Sequence, residues 1–120
     1  MAQRAETTDA ISAKKVIGTS VRDTTGEKIG EIEDVILDKF SNNIMFAVVG
    51  FGGFLGMGEK YHPIPWMSLK YDEDAGSYVV AFSREMLEAA PADSIEALVA
   101  GNAVAYRERA YDYYHAPHYW

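Results

Sequence analysis

The most constraining feature of the sequence is the stretch Ile44–Trp66, which reads IMFAVVGFGGFLGMGEKYHPIPW. Residues 44–49 are all apolar, whereas a strand with one wet face alternates apolar and polar residues. We therefore predict a strand covered on both sides, by a barrel interior on one face and by a helix, a tail or a second subunit on the other. Tyr61–Trp66 carries two prolines, which predicts a strand at a sheet edge because proline cannot donate to a neighbour.

The glycine-rich connection between these strands does not fit a phosphate-binding loop. Counted from Gly50, the GxGxxG pattern would end at Leu55, and the GxxxxGK[ST] pattern over Gly53 and Gly58 meets Glu59 where it needs lysine. Such loops also require a following helix, and here an edge strand follows.

We interpret the connection as a wide loop with an apolar tip. An apolar tip is costly to leave in water, so its large side chains are predicted to cap the barrel or to contact another chain. These predicted interface residues are Phe51, Phe54, Leu55 and Met57.

Short β-patterned runs separated by turn residues extend over the first two thirds of the chain. They predict strands at 15–23, 29–37, 44–49, 61–66 and 77–82, with a bulge near Gly30 where the alternation of the second strand breaks. We predict a mainly β fold: a small, partly open antiparallel β-barrel of five or six strands, arranged as a meander, with C-terminal helices.

The helical signals begin at Ser83, a predicted N-cap for a helix over 84–90. Asp93 with Glu96 predicts a capping box for 94–100, and Asn102 a cap for 103–114. Residues Ile95, Leu98 and Val99 are expected to form one apolar stripe, and residues Tyr106, Ala110 and Tyr113 another. The predicted organisation is a flexible arm at 1–14, a barrel at 15–82, and a helical, aromatic tail at 83–120.

Composition excludes several classes of function. The chain has no cysteine, so disulfides, thiolate zinc sites and cysteine nucleophiles are absent. Its net charge of −7 disfavours nucleic acid and anionic membranes as partners. No apolar run approaches the roughly 18 residues of a membrane span, and Met1–Lys15 is too polar for a secretory signal. We expect a soluble, cytoplasmic protein.

No catalytic residue and no cofactor are predicted. Glu31 and Glu33 are two apart on a strand and resemble a paired acid–base site, but no pocket is indicated and a solvated face is the better interpretation. Asp72–Asp74 fails the calcium-loop pattern and predicts an acidic turn. The only candidate metal ligands are His62, His115 and His118, and Pro117 prevents a regular helix between the last two.

The C-terminal tail is the second strong feature. Six of the ten Tyr and Trp residues lie in the last fifteen positions, and their few basic neighbours are offset by acids, unlike a nucleic-acid surface. Large aromatic side chains dominate interfaces, so the tail is predicted to dock on its own barrel or on a neighbour's. The predicted interface residues here are Tyr113, Tyr114, Tyr119 and Trp120.

Two segments, VIGTSVRDTTGEKIGEIEDVILD and AVVGFGGFLGMGEKYHPIPWMSL, resemble the PRC-barrel family over about Lys15–Phe82. That family includes the cytoplasmic domain of the photosynthetic reaction-centre H subunit and the C-terminal domain of a ribosome maturation factor. The ending RAYDYYHAPHYW is similar to the tails of stand-alone bacterial members. The resemblance implies a small, partly open β-barrel that acts in protein–protein docking or assembly, with no catalytic residues to transfer.

The leading functional hypothesis is a non-catalytic interaction module that forms a homo-oligomer and binds a protein partner that the sequence does not identify. The alternative is a small-ligand or metal-binding protein that uses the barrel mouth and the histidines.

Overall fold

The computed structural model of the chain describes residues 9–50 and 61–117. The elements, in chain order, are α1 (Ala13–Val16), β1 (Ser20–Arg22), β2 (Lys28–Leu37), β3 (Ile44–Gly50), β4 (His62–Pro65), a 3-10 turn (Trp66–Ser68), β5 (Lys70–Asp72), β6 (Ser77–Val79), α2 (Arg84–Glu88), α3 (Ile95–Val99) and α4 (Val104–Tyr113).

The six strands form one sheet in the order β4-β3-β2-β1-β6-β5. The first four strands are the predicted antiparallel meander, and β5 and β6 form a second antiparallel hairpin. The sheet is mixed, however, because β6 lies parallel to β1. The parallel pair arises because the chain passes from one edge of the sheet to the other between β4 and β5, so that the second hairpin approaches β1 from its free side.

The connection between the two edge strands forces the sheet to curl. A flat sheet of six strands would place β4 and β5 about 24 Å apart, at roughly 4.8 Å per neighbour. The chain between Pro65 and Lys70 spans at most about 18 Å even when fully extended, and part of it is a 3-10 turn. The two edges therefore approach each other without pairing, which is the predicted mainly β, partly open barrel.

The first and last strands are shorter than the sequence indicates. The predicted strand over 15–23 is wrong in its first half: the Ser12 carbonyl accepts hydrogen bonds from the backbone N–H groups of Lys15 and Val16, which form the turn of α1. Gly18 then takes a left-handed conformation, with φ of 93°, and redirects the chain into β1. The last strand ends at Val79 rather than at residue 82.

The predicted bulge near Gly30 is present. Val21 pairs with Gly30 and Arg22 with Lys28, so Ile29 is an extra residue in β2. A second register shift, between β2 and β3, leaves Glu33 without an opposite residue in β3. An extra residue moves the side chains that follow it to the opposite face of the strand. Ile29 and Ile32 therefore both reach the same core although they are three residues apart.

Strand β3 is covered on both sides, as predicted, and its own chain provides both covers. Ala47 and Val49 belong to the barrel core, whereas Phe46 and Val48 face a second core built with the C-terminal helices. The helical contributions to that second core are Leu98, Ala110 and Tyr111. The helices thus take the position that the sequence left open to a helix, a tail or a second subunit.

Two of the three predicted helix caps are wrong. Ser83 caps α2 as expected, accepting a hydrogen bond from the Met86 N–H at 3.2 Å. Helix α3 is capped by Ser94, one residue after the predicted Asp93; its hydroxyl oxygen accepts from the Ala97 N–H at 3.1 Å. Helix α4 follows Ala103 and has no side-chain cap, so Asn102 does not serve as one.

The predicted apolar stripes are also incomplete. In α3, Leu98 is buried but Val99 is exposed, because the five-residue helix contacts the barrel along one side only. In α4 the fully buried residues are Ala110 and Tyr111, and Tyr111 lies outside the predicted stripe.

Candidate interaction surfaces

Most of the predicted interface residues lie outside the described part of the chain. Those residues are Phe51, Phe54, Leu55, Met57, Tyr119 and Trp120, together with the candidate metal ligand His118. Their roles stay predictions.

The two predicted interface residues within the described part, Tyr113 and Tyr114, dock on their own chain. The Tyr113 hydroxyl donates a hydrogen bond of 2.6 Å to the Met86 carbonyl in α2. The Tyr114 ring lies 4.8 Å from the Phe82 ring, between centroids, and burial raises the pKa of its phenol well above the usual value. These contacts fasten the end of α4 to the barrel.

The structure does not bring the two described histidines into a metal-binding cluster. His62 is buried on β4, where burial lowers the pKa of its imidazole and hydrogen bonding to the backbone of Pro91 and Ala90 partly opposes that shift. His115 is exposed just after α4, in a left-handed conformation with φ of 58°. Over residues 9–50 and 61–117, no three His, Cys, Asp or Glu side chains lie close enough to hold a metal ion.

The paired glutamates do not form a site for acid–base chemistry. The Glu31 carboxylate accepts from the Lys28 ammonium at 2.6 Å, and both side chains are about two-fifths exposed. Glu33 is exposed. An exposed carboxylate paired with a lysine is a solvated surface group, in line with the interpretation from sequence.

An apolar surface that sequence analysis missed lies at the turn between β2 and β3. Here Leu37, Phe40 and Val99 are 60%, 88% and 55% exposed, and they border one shallow groove of about 380 Å³. Ile36, Met45 and Leu98 line the same groove. We call Leu37, Phe40 and Val99 the hairpin surface. Large apolar side chains gathered in one place are typical of interaction sites.

The turn is built to hold Phe40 outward. The Asp38 carboxylate accepts from the backbone N–H of Phe40 at 3.0 Å, and these amide bonds lower the pKa of Asp38. Asn42 closes the turn in a left-handed conformation, φ 68°, and its N–H donates to the Asp38 carbonyl at 2.8 Å. These bonds fix the backbone of the turn, and the Phe40 side chain stays exposed.

Basic residues outnumber acidic ones along this groove, whereas acidic residues outnumber basic ones in the chain as a whole. The Arg107 guanidinium lines the groove and donates to the Leu98 carbonyl at 2.9 Å, while its Nε is buried without a hydrogen-bond partner in the described ranges. The Lys39 ammonium lies 5.8 Å from the centroid of the Phe40 ring. Asp38 is the one carboxylate among the residues that line the groove, so the groove carries a local excess of positive charge on a chain of net charge −7.

A second surface lies at the opening of the barrel, beside β5. Three rings are in contact there: Trp66 lies 5.6 Å and Tyr71 lies 5.1 Å from Tyr78, measured between centroids. We call these three residues the aromatic seam. They form one wall of a groove of about 740 Å³ whose other wall is residues 9–12 with Lys15.

The sequence carried only weak signals for either surface. Phe40 is a single aromatic residue in the polar turn DKFSNN. Trp66 ends a strand predicted from its prolines, and Tyr71 follows five residues later. The predicted barrel did not indicate that Tyr71 and Tyr78 are opposite each other in one hairpin, or that Trp66 lies against Tyr78.

The described helices are also too short and polar to cross a membrane; the longest has ten residues.

Comparison with known proteins identifies a family. No curated protein matches the chain. Among protein families, residues 8–87 match the PRC-barrel domain, which is two thirds of the chain and includes α1, all six strands and the start of α2. The curled sheet agrees with that match, and the chain belongs to the PRC-barrel domain family.

Proposed function

We propose that this protein is a non-catalytic interaction module that associates with a second copy of itself through the hairpin surface. The observation that carries the proposal is Phe40, a large aromatic residue that is 88% exposed on a turn held by five hydrogen bonds among residues 38–43. Exposing a large apolar side chain to water is unfavourable, and a partner that covers Phe40 would explain why the turn holds it there.

Charge favours a second copy as that partner. The groove presents Asp38 beside Lys39 and Arg107, so the same surface of a second copy offers a carboxylate to these two cations. Asp38 and Lys39 are adjacent at the tip of the turn. In a two-fold dimer the lysine of each copy would meet the aspartate of the other, since every contact in such an interface occurs twice.

The remaining polar groups support a non-catalytic role. The described carboxylates that neighbour each other are solvated, and His62 is buried inside the fold rather than directed into a groove. Catalysis needs titratable groups with shifted pKa values gathered around a pocket. The exposed features that stand out here are apolar and aromatic.

The test is the particle mass in solution, measured by light scattering over a range of concentrations. We expect a mass above the 13.3 kDa of one chain, and we expect Phe40→Ser to lower it by weakening association at least tenfold. Met67→Ser is the matched control, because Met67 is 52% exposed but lies outside the hairpin surface. A wild-type protein that stays at 13.3 kDa at millimolar concentration, or an assembly that Phe40→Ser leaves unchanged, contradicts the proposal.

A further inference from the structure

The aromatic seam is a continuous wall built by three different elements. Tyr71 of β5 is directly opposite Tyr78 of β6 in the antiparallel register, with the rings in an edge-to-face arrangement. Trp66, the first residue of the 3-10 turn, has its ring 5.6 Å from that of Tyr78, measured between centroids. Tyr78 is buried and fixes the cluster to the core, while Tyr71 is 44% exposed. The aromatic seam is therefore anchored in the core at Tyr78 and exposed to solvent at Tyr71.

The groove in front of this wall has the size of a binding site for a short peptide. Its volume of about 740 Å³ lies within the range of roughly 300–1,000 Å³ that is typical of ligand sites. The groove runs beside β5, an edge strand of three residues that pairs with β6 alone among the strands of residues 9–50 and 61–117.

The charge at the rim favours a cationic occupant. The groove is lined by the carboxylates of Asp9 and Glu73 against one ammonium, that of Lys15. Glu73 belongs to the acidic turn Asp72–Asp74, in which the Asp72 carboxylate is occupied by the backbone N–H groups of Asp74 and Ala75. Glu73 is exposed and is thus available to a ligand.

We propose that the aromatic seam binds a proline-rich segment of a partner protein, in an extended polyproline conformation, with an Arg or Lys directed at Glu73. Proline rings stack on tyrosine and tryptophan, and a polyproline helix has no internal hydrogen bonds to break and little entropy to lose. A basic residue beside the prolines meets the acidic rim. The proposal concerns a surface separate from the hairpin surface, so the two are tested independently.

The experiment is a titration of the full chain with a blocked peptide of sequence RPLPPLP, followed by tryptophan fluorescence. The Trp120→Phe background leaves Trp66 as the single tryptophan, because the chain has two. We expect saturable binding below 1 mM, with Tyr71→Ala weakening it at least tenfold. Glu73→Gln is expected to weaken it about two- to fivefold, as for an exposed ion pair, and to leave the peptide QPLPPLP unaffected.

Matched controls keep the outcome decisive. Tyr71→Phe retains the ring and is expected to bind within twofold of wild type, which separates loss of the aromatic face from loss of fold. Phe40→Ser is expected to bind normally even where it dissociates the assembly. The proposal is overturned by the absence of saturation at 1 mM, by equal binding of Tyr71→Ala, or by equal binding of a peptide in which alanine replaces every proline.

Discussion

Tyr111 joins the C-terminal helices to the barrel, and its hydroxyl group offers a sharp test of that junction. Strand β3 contains a register shift: Ile36 pairs with Phe46 and Leu37 with Ile44, so Met45 has no opposite residue in β2. The Tyr111 hydroxyl donates a hydrogen bond of 2.9 Å to the Met45 carbonyl. The helix thereby supplies a partner at the point where the sheet is irregular.

Tyr111→Phe removes this donor and retains the aromatic ring. The side chain is fully buried, and its ring packs edge-on against Phe46 with 5.1 Å between centroids, a contact that phenylalanine preserves. The loss is one buried hydrogen bond plus part of the cost of a carbonyl left without its partner, about 1–3 kcal/mol in the free energy of unfolding. A small domain has about 5–15 kcal/mol in total, so the variant still folds.

The assay is urea unfolding followed by far-UV circular dichroism, at one fixed protein concentration because association raises apparent stability. In a chain of 120 residues, 1 kcal/mol corresponds to about 3–6 °C in Tm. The matched control is Tyr71→Phe, an exposed tyrosine on β5, which is expected to change the free energy of unfolding by less than about 0.5 kcal/mol. If the two variants are equally stable, the Tyr111 hydroxyl does not support the β3 irregularity.

Two further predictions concern backbone approach and pH. Gly30→Ala is expected to lower the free energy of unfolding by about 1–3 kcal/mol, measured by urea unfolding. The added Cβ would lie 2.7 Å from Val49 Cγ1 and 2.8 Å from the Gly50 carbonyl oxygen. Gly101→Ala is the control and should be near neutral, because its Cβ meets open space. Burial lowers the pKa of His62 in the folded chain below the value of 6.5 for an exposed histidine, so the unfolded chain takes up this proton at a higher pH than the folded chain. The free energy of unfolding should therefore fall as the pH drops from about 6.5 to the folded pKa. His62→Gln should flatten this part of the stability profile, and an unchanged profile would mean that another group titrates there.

The local pattern of residues is most informative where it reports burial. The unbroken apolar run of β3 indicated two covered faces, and the prolines of β4 indicated an edge strand; both are seen. The same pattern is least informative at the ends of helices and strands. The apolar alternation of residues 15–23 did not separate α1 from β1, because the turn at Ser12 and the left-handed Gly18 depend on the contact of Val16 with the core.

By itself, the sequence determined the family, the mainly β class and the meander of the first four strands, because these follow from side-chain periodicity, turn residues and a recognisable pattern of residues. The tertiary structure decided what covers β3, which helix residues are buried, and where the exposed surfaces lie. The physical reason is that the hairpin surface joins Leu37 and Phe40 to Val99, and the groove in front of the aromatic seam joins that seam to residues 9–15. These segments are far apart in the chain and come together only when the sheet curls and the helices dock on it.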